Sequence, residues 1–247
     1  SGINQKKVSV IVATYRRKET LKKALISLAN QTYSEIEIVL VDDNGDKNWN
    51  SDIASIVTSF KDSFPDISIK YIVNKNNHGS AKSRNIGIKA SSGDYITFLD
   101  DDDLYLPDKI KTQLSYMLEY EADYSLTDLK LYCEDERLEE TRVRNYIKKN
   151  NENDLIKYHL MYHMTGTDTM MFKKEYLLQI NGFSAIDVGD EFYLMMKAIR
   201  AGGVFCYVPT CDVKAYVHTG TGGLSSGKRK IEGENRLFEY KKQYFDF

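Results

Sequence analysis

Cysteine is scarce in this chain. Cys133, Cys206 and Cys211 are three in number, an odd count with no paired metal spacing. That usage argues against a disulfide framework and reads as a reduced, cytoplasmic chain with buried thiols. Charge of one sign is also missing. The 34 basic and 36 acidic residues leave a net charge of −2, so no global field calls for nucleic acid or an anionic membrane. No apolar run is long enough to span a bilayer, and no signal-peptide pattern is present. Contact with the inner face of a membrane would then go through a peripheral surface. The opening Ser1-Gly2, without a start Met, reads as a cloning remnant of an excised domain. Repeats, low-complexity tracts and clear linkers are absent too.

What is present is alternation. Val8 to Ala13 is a β-branched run and reads as a buried strand. Glu19 to Ala29 carries Leu21, Ala24, Leu25 and Leu28 at helical spacing. Strands follow at 35–41, 69–73 and 94–99, separated by helices at about 50–64 and 80–90. This order predicts an α/β fold, a Rossmann-like and mostly parallel sheet flanked by helices. Ligands of such sheets bind beyond the carboxyl ends of the strands. Thr14-Tyr15, Asp42-Asp43 and Asp100 to Asp103 all lie just past strand ends, so they should converge on one edge.

Beyond Pro107 the pattern changes. Helices are expected at 108–120 and 190–201, and strands at 123–132, 170–172 and 203–208. Residues 134–153 are very polar and read as a mobile loop that can close over an acceptor; 155–164 is apolar without a clear assignment. A last helix is expected over about 232–244. One domain spans 1–247 on this reading. A nucleotide-sugar half covers about 8–103 and an acceptor half the rest.

Several groups have the chemistry for a site. Asp100-Asp101-Asp102-Asp103 sets four carboxylates side by side, and their repulsion is relieved by a divalent cation such as Mg²⁺ or Mn²⁺. Asp103 is also suited to capping the next helix. Asp42-Asp43 can accept hydrogen bonds from a base or ribose, or simply start the Asp-Asn-Gly turn. Lys82 and Arg84 follow the Gly79 turn into a helix, a place that attracts anions. Arg84 could hold a pyrophosphate with two parallel hydrogen bonds. Asp190 and Glu191 open a helix and are candidate general bases. His218, in a Gly-rich stretch, is a candidate metal ligand or phosphate contact. Each also has a plain structural reading as a solvated or capping residue.

In order, these segments resemble the inverting, nucleotide-sugar-dependent glycosyltransferases of family 2 with the GT-A fold. The resemblance runs from Val8-Ser9-Val10-Ile11-Val12-Ala13-Thr14-Tyr15 through Val39-Leu40-Val41-Asp42-Asp43 and Ala81-Lys82-Ser83-Arg84 to Phe98-Leu99-Asp100-Asp101-Asp102-Asp103. It implies that Ala13, Thr14, Tyr15 and Asp43 contact the nucleoside, typically uridine. Lys82 and Arg84 lie by the donor, and Asp100 and Asp101 approach ribose and metal-bound water. Asp102, with His218, holds Mn²⁺ or Mg²⁺. The family's Glu-Asp pair is swapped here to Asp190-Glu191. By position Glu191 takes the place of the base, and Asp190 stays open for it. The implied partners are a UDP-sugar and a glycan, lipid-linked or glycoprotein acceptor. Rival readings are a phosphotransferase with Asp100 as nucleophile, a nucleotidyltransferase, and a sugar-nucleotide-binding module without catalysis. The glycine-free Thr14-Tyr15-Arg16-Arg17 argues against the nucleotidyltransferase.

Overall fold

Three buried strands, β1 (Val8–Thr14), β2 (Ile36–Asp42) and β4 (Tyr95–Phe98), form the heart of the main sheet, with β3 (Ser68–Val73) as its more exposed edge strand. A computed structural model describes residues 6–184, 189–218 and 237–244. β1 pairs in parallel with both β2 and β4, and β2 with β3. The β-branched stretch of β1 is buried on both sides, as expected where helices cover both faces. On one face lie α1 (Glu19–Ala29), α2 (Lys47–Ser63) and α4 (Lys109–Glu119), through Leu21, Leu25, Ile53, Phe60, Ile110 and Leu114. On the other lie α3 (Ser80–Ala90), α6 (Lys174–Gln179) and α7 (Asp190–Arg200), through Ala81, Ile88, Leu177, Leu194 and Met195.

The sheet continues past β4 into the second half of the chain. Its order is β10-β6-β9-β4-β1-β2-β3, with β6 (Tyr124–Thr127), β9 (Met170–Lys173) and β10 (Phe205–Val208). β9 runs antiparallel to both neighbours, β4 and β6. Its first residue therefore lies at the carboxyl end of β4, where the aspartates are. A second sheet has the order β5-β11-β7-β8, from β5 (Leu104–Tyr105), β7 (Leu129–Cys133), β8 (Leu138–Arg142) and β11 (Val213–Val217).

Two expectations from the sequence need correction. The run 123–132 is not one strand: it divides at Asp128 into β6 and β7, which belong to different sheets. Asp128 is buried and accepts hydrogen bonds from the Arg144 amide (2.8 Å) and the Tyr207 hydroxyl (2.7 Å), which fixes the break. Residues 134–153 are not a mobile loop either. They hold β8 and a buried Arg144, whose guanidinium donates to the carbonyls of Thr127 and Thr165. The unassigned stretch after them is α5 (Glu152–Tyr162), with Asn151 capping it by accepting from the Asp154 amide at 3.0 Å. Residues 237–244 are helical and pack Leu237, Tyr240 and Tyr244 against Leu160, Phe192 and Met196. The expected start of that helix, at 232, lies outside the described residues.

At the end of the sheet away from the aspartates, Glu37 is wholly buried on β2. It accepts hydrogen bonds from Ser9 Oγ (2.6 Å), the Ser92 amide (2.8 Å) and Ser92 Oγ (2.9 Å), and pairs with Lys70 at 2.8 Å. Burial alone would raise its pKa, but Lys70 and the serine donors prevail and bring it down to about 2. A lowered carboxyl stabilises the fold above its unfolded pKa, and the benefit is lost as pH falls toward the folded value. Glu37→Gln should thus cost roughly 3 kcal/mol at pH 7. Urea unfolding should show that gap shrinking steadily from about pH 4.5 down toward pH 2.

Candidate active site

The carboxyl ends of β1, β2 and β4 do converge. Thr14 closes β1, and its hydroxyl donates to Asp101 Oδ2 at 2.9 Å; the Tyr15 amide adds a bond to the same oxygen at 3.1 Å. Asp101 is thus a brace between two strand ends, only 9% exposed, with Arg17 3.2 Å away. Burial, then repulsion from Asp102, raises its pKa to about 7 against these donors. Ala13 is half-buried behind Thr14, whereas Tyr15 is exposed. The Arg16 guanidinium lies 5.4 Å from the Tyr15 ring and 5.3 Å from the Trp49 ring, which builds an aromatic and cationic wall beside β1.

Asp43 lies inside the turn after β2. Its carboxylate accepts from the amides of His78 (2.7 Å) and Gly79 (2.9 Å) and from the side chains of Asn74 and Asn77, both at 3.0 Å. It thereby pins the loop that enters α3, where Gly79 has a φ of 88°. Lys82 on the first turn of α3 is exposed.

Arg84 links the two halves of the site. From α3 it donates to Asp100 Oδ1 at 3.0 Å and to Asp190 Oδ2 at 3.1 Å, with its guanidinium 5.3 Å from the Phe183 ring. Burial works against its charge, yet Asp100, Asp190 and Glu191 more than offset this and raise its pKa. Asp190 is buried and raised to about 6, by burial first; Arg84 opposes the rise and Glu191 adds to it. Its other oxygen accepts from the Glu191 amide at 2.9 Å. Glu191 is half-buried, and its Oε2 accepts from the Gly166 amide, the Thr167 amide and the Thr167 hydroxyl, each at 2.9 Å.

Asp102 stands apart from Asp101. Its Oδ2 meets His218 Nε2 directly, and Arg17 approaches it at 3.5 Å. The pair sits on a pocket of about 320 Å³ lined also by Thr20, Lys23, Leu104, Glu134, Glu136 and Tyr216. His218 directly follows β11. The Gly-rich residues after it lie outside the described residues, as do 185–188 ahead of α7.

Asp103 is not a helix cap. The N-cap position of α4 is Asp108, whose side chain makes no capping bond, and Asp103 instead accepts from the Tyr216 amide at 3.0 Å and faces Asp168. Asp168 escaped the sequence reading. It precedes β9, is buried, and accepts from the Asp100 amide at 2.8 Å. Burial, then repulsion from Asp168, raises Asp103; burial, then repulsion from Asp100, raises Asp168, against a hydrogen bond with Asp103. Asp100, Asp103 and Asp168 offer carboxylate oxygens within 4.8 Å of one another. Arg17 was likewise missed, although its place next to Thr14-Tyr15 at a strand end was a usable signal. Asp168 had none beyond its place before a short apolar run.

With this geometry in place, comparison with known proteins is decisive. The glycosyl transferase family 2 profile matches residues 9–177. The chain belongs to glycosyl transferase family 2. A Haemophilus influenzae protein named as an uncharacterized glycosyltransferase is 30% identical over 194 residues, covering 78% of this chain and 62% of that protein. The Escherichia coli UDP-Glc:alpha-D-GlcNAc-diphosphoundecaprenol beta-1,3-glucosyltransferase WfaP is 38% identical over 113 residues, 44% of this chain and 41% of that protein. Among solved structures, S. aureus TarS 1-349 in complex with UDP-GlcNAc has a TM-score of 0.70 and 22% identity, over 90% of this chain and 61% of the other. A Pyrobaculum calidifontis mannosyltransferase in complex with GDP-Man and Mn²⁺ has a TM-score of 0.66 and 18% identity, covering 96% of this chain and 64% of the other. These neighbours establish the GT-A fold. The chain spans 51% and 62% of the lengths of the two Haemophilus influenzae relatives it matches. Among the described residues no helix is long and apolar enough to cross a membrane.

One guanidinium, that of Arg84, joins the acidic loop to the start of α7. Arg84→Met would leave Asp190 buried without its cation, at a cost of about 3 kcal/mol in urea unfolding. The Asp190 pKa, followed by carbon NMR of the carboxyl, should climb above 6.

Proposed function

We propose that this chain transfers a sugar from a UDP-sugar to a hydroxyl of a lipid-linked glycan, with inversion at the anomeric carbon. The observation that carries this reading is Arg84, which holds Asp100 of the acidic loop and Asp190 of α7 at 3.0 and 3.1 Å. The acceptor-side carboxylates therefore lie within one side chain of the donor-side aspartates. We read 1–247 as one catalytic domain, with donor contacts in about 8–103 and acceptor contacts in the rest.

The nucleoside would lie along Ala13, Thr14 and Tyr15. Asp43 shapes its pocket by fixing the 74–79 loop, and Lys82 stands at the rim. The donors of WfaP and of the TarS complex, UDP-Glc and UDP-GlcNAc by their names, support uridine. The acceptor named for WfaP and for a Campylobacter jejuni beta-1,3-glucosyltransferase, 38% identical over 107 residues, is a diphosphoundecaprenol-linked sugar, which supports the lipid-linked acceptor. Both names specify a β linkage, as inversion of an α-linked donor would give.

The residues present fit a divalent cation. Asp102 and His218 meet at the pocket rim, while Asp100, on the same loop, groups with Asp103 and Asp168. Carboxylates with one imidazole suit Mn²⁺, and carboxylates alone suit Mg²⁺. Asp103 and Asp168 are better suited as a buried brace, because each already accepts a backbone amide. The ion, when bound, would offset the negative charge that develops on the departing diphosphate.

The remaining steps belong to the chain. Arg17 and Arg84 supply fixed positive charge around the aspartate loop. Glu191 takes the acceptor proton: it is half-buried and can reach a hydroxyl, while Asp190 is buried and fixed by Arg84. Asp190 holds the start of α7 in place. The bond from anomeric carbon to diphosphate breaks as the acceptor oxygen bonds to the opposite face.

Transfer and donor hydrolysis assayed over a panel of UDP- and GDP-sugars with Mn²⁺ test this directly. A UDP-sugar should be turned over, and Asp102→Ala should lose on the order of 10²-fold or more in rate. No turnover of any sugar nucleotide would favour a binding module instead. Glu191→Gln should lose about 10²- to 10⁴-fold in transfer while UDP binding, followed by calorimetry, stays intact. A larger loss of transfer in Asp190→Asn would move the base to Asp190.

A further inference from the structure

The polar stretch after β7 carries a contact that the transfer reaction as described leaves unused. β7 and β8 are joined by the turn Glu134-Asp135-Glu136-Arg137, closed by hydrogen bonds from the Glu136 amide to the Cys133 carbonyl (3.0 Å) and from the Cys133 amide to the Arg137 carbonyl (2.8 Å). Glu136 sits at a φ of 66°. Its carboxylate ties the turn to β11, through Lys214 Nζ at 2.5 Å and the Tyr216 hydroxyl at 2.7 Å. The turn is thus held against the strand that ends at His218. From it Glu134 reaches His218: Oε1 lies 2.6 Å from Nδ1, while Nε2 of the same ring meets Asp102.

An imidazole can offer a lone pair from one nitrogen only when the other keeps its proton. A carboxylate at Nδ1 therefore selects the form in which Nε2 is the ligand, and also fixes the ring plane. We propose that Glu134 is the positioning residue of His218, accepting its Nδ1 proton so that Nε2 is presented, beside Asp102, to a divalent cation. The inference rests on the reading of Asp102 and His218 as the cation site. Glu134 itself touches neither ion nor sugar. The ring lies between the two carboxylates of Glu134 and Asp102.

The test is Mn²⁺ binding to the full chain with UDP present, read from the free-ion electron paramagnetic resonance signal, so that no turnover is needed. Glu134 is exposed, and thermal melts should show Glu134→Ala as stable as the parent. Glu134→Ala should weaken Mn²⁺ binding by about 10- to 100-fold. Glu134→Gln, whose amide oxygen still accepts the Nδ1 proton, should regain most of that loss. Pulsed resonance should detect an imidazole nitrogen on the bound ion in the parent, and lose it in His218→Ala. Unchanged affinity in Glu134→Ala, with binding weakened in Asp102→Ala and His218→Ala, would overturn the role of Glu134 alone. So would equal losses in Glu134→Ala and Glu134→Gln. Unchanged binding in Asp102→Ala and His218→Ala would instead overturn the cation site on which the inference rests.

Discussion

Excess negative charge at one edge of the sheet is the constraint around which this protein is arranged. Asp100 to Asp103, Asp168, Asp190 and Glu191 crowd the carboxyl ends of β1, β4 and the start of α7. Left unpaired, buried carboxylates of this kind would oppose folding. Arg84 offsets the charge for Asp100 and Asp190, Arg17 does so for Asp101 and Asp102, and backbone amides do so for Glu191 and Asp168. Burial first, and a neighbouring carboxylate second, still raise the pKa values of Asp101, Asp103 and Asp168. What remains at this edge is a surplus of negative charge that the fold itself does not neutralise.

The division of labour among the aspartates follows from burial. Asp101 and Asp103 turn inward and brace other segments: the end of β1 in one case, β11 in the other. Asp100 and Asp102 turn toward Arg84 and His218. Adjacent residues of identical chemistry thereby acquire different tasks, set by which side of the loop each faces. The same logic separates Asp190, buried and paired, from its neighbour Glu191, half-buried and held by the Gly166-Thr167 amides.

Much of this was legible in the sequence where periodicity and strand ends carry the signal. The β-branched strands, the alternating helices and the convergence of Thr14, Asp43 and Asp100 to Asp102 follow from local pattern and sheet geometry. The meeting of Asp102 with His218, 116 residues apart, came from family resemblance and not from any local rule. What stayed hidden depends on partners distant in sequence. The break at Asp128 exists because Arg144 and Tyr207 bind its carboxylate, and nothing in the apolar run around it announces a turn. Residues 134–153 look solvated by composition, yet Arg144 is buried there because two backbone carbonyls receive its guanidinium. Asp168 could not be singled out, since its significance comes from the reversed direction of β9.

That reversal has a consequence for how the aspartate loop and the start of α7 are kept in step. Because β9 enters the sheet at the edge where β4 leaves it, the turn in front of β9 contacts both halves of the site at once. Asp168 takes the amide of Asp100, while Gly166 and Thr167 take Glu191. The ladder between β4 and β9 therefore sets the spacing between the aspartate loop and Glu191, as a ruler would. A slip of two residues in that single ladder would misplace both together, leaving each half locally intact but no longer matched to the other.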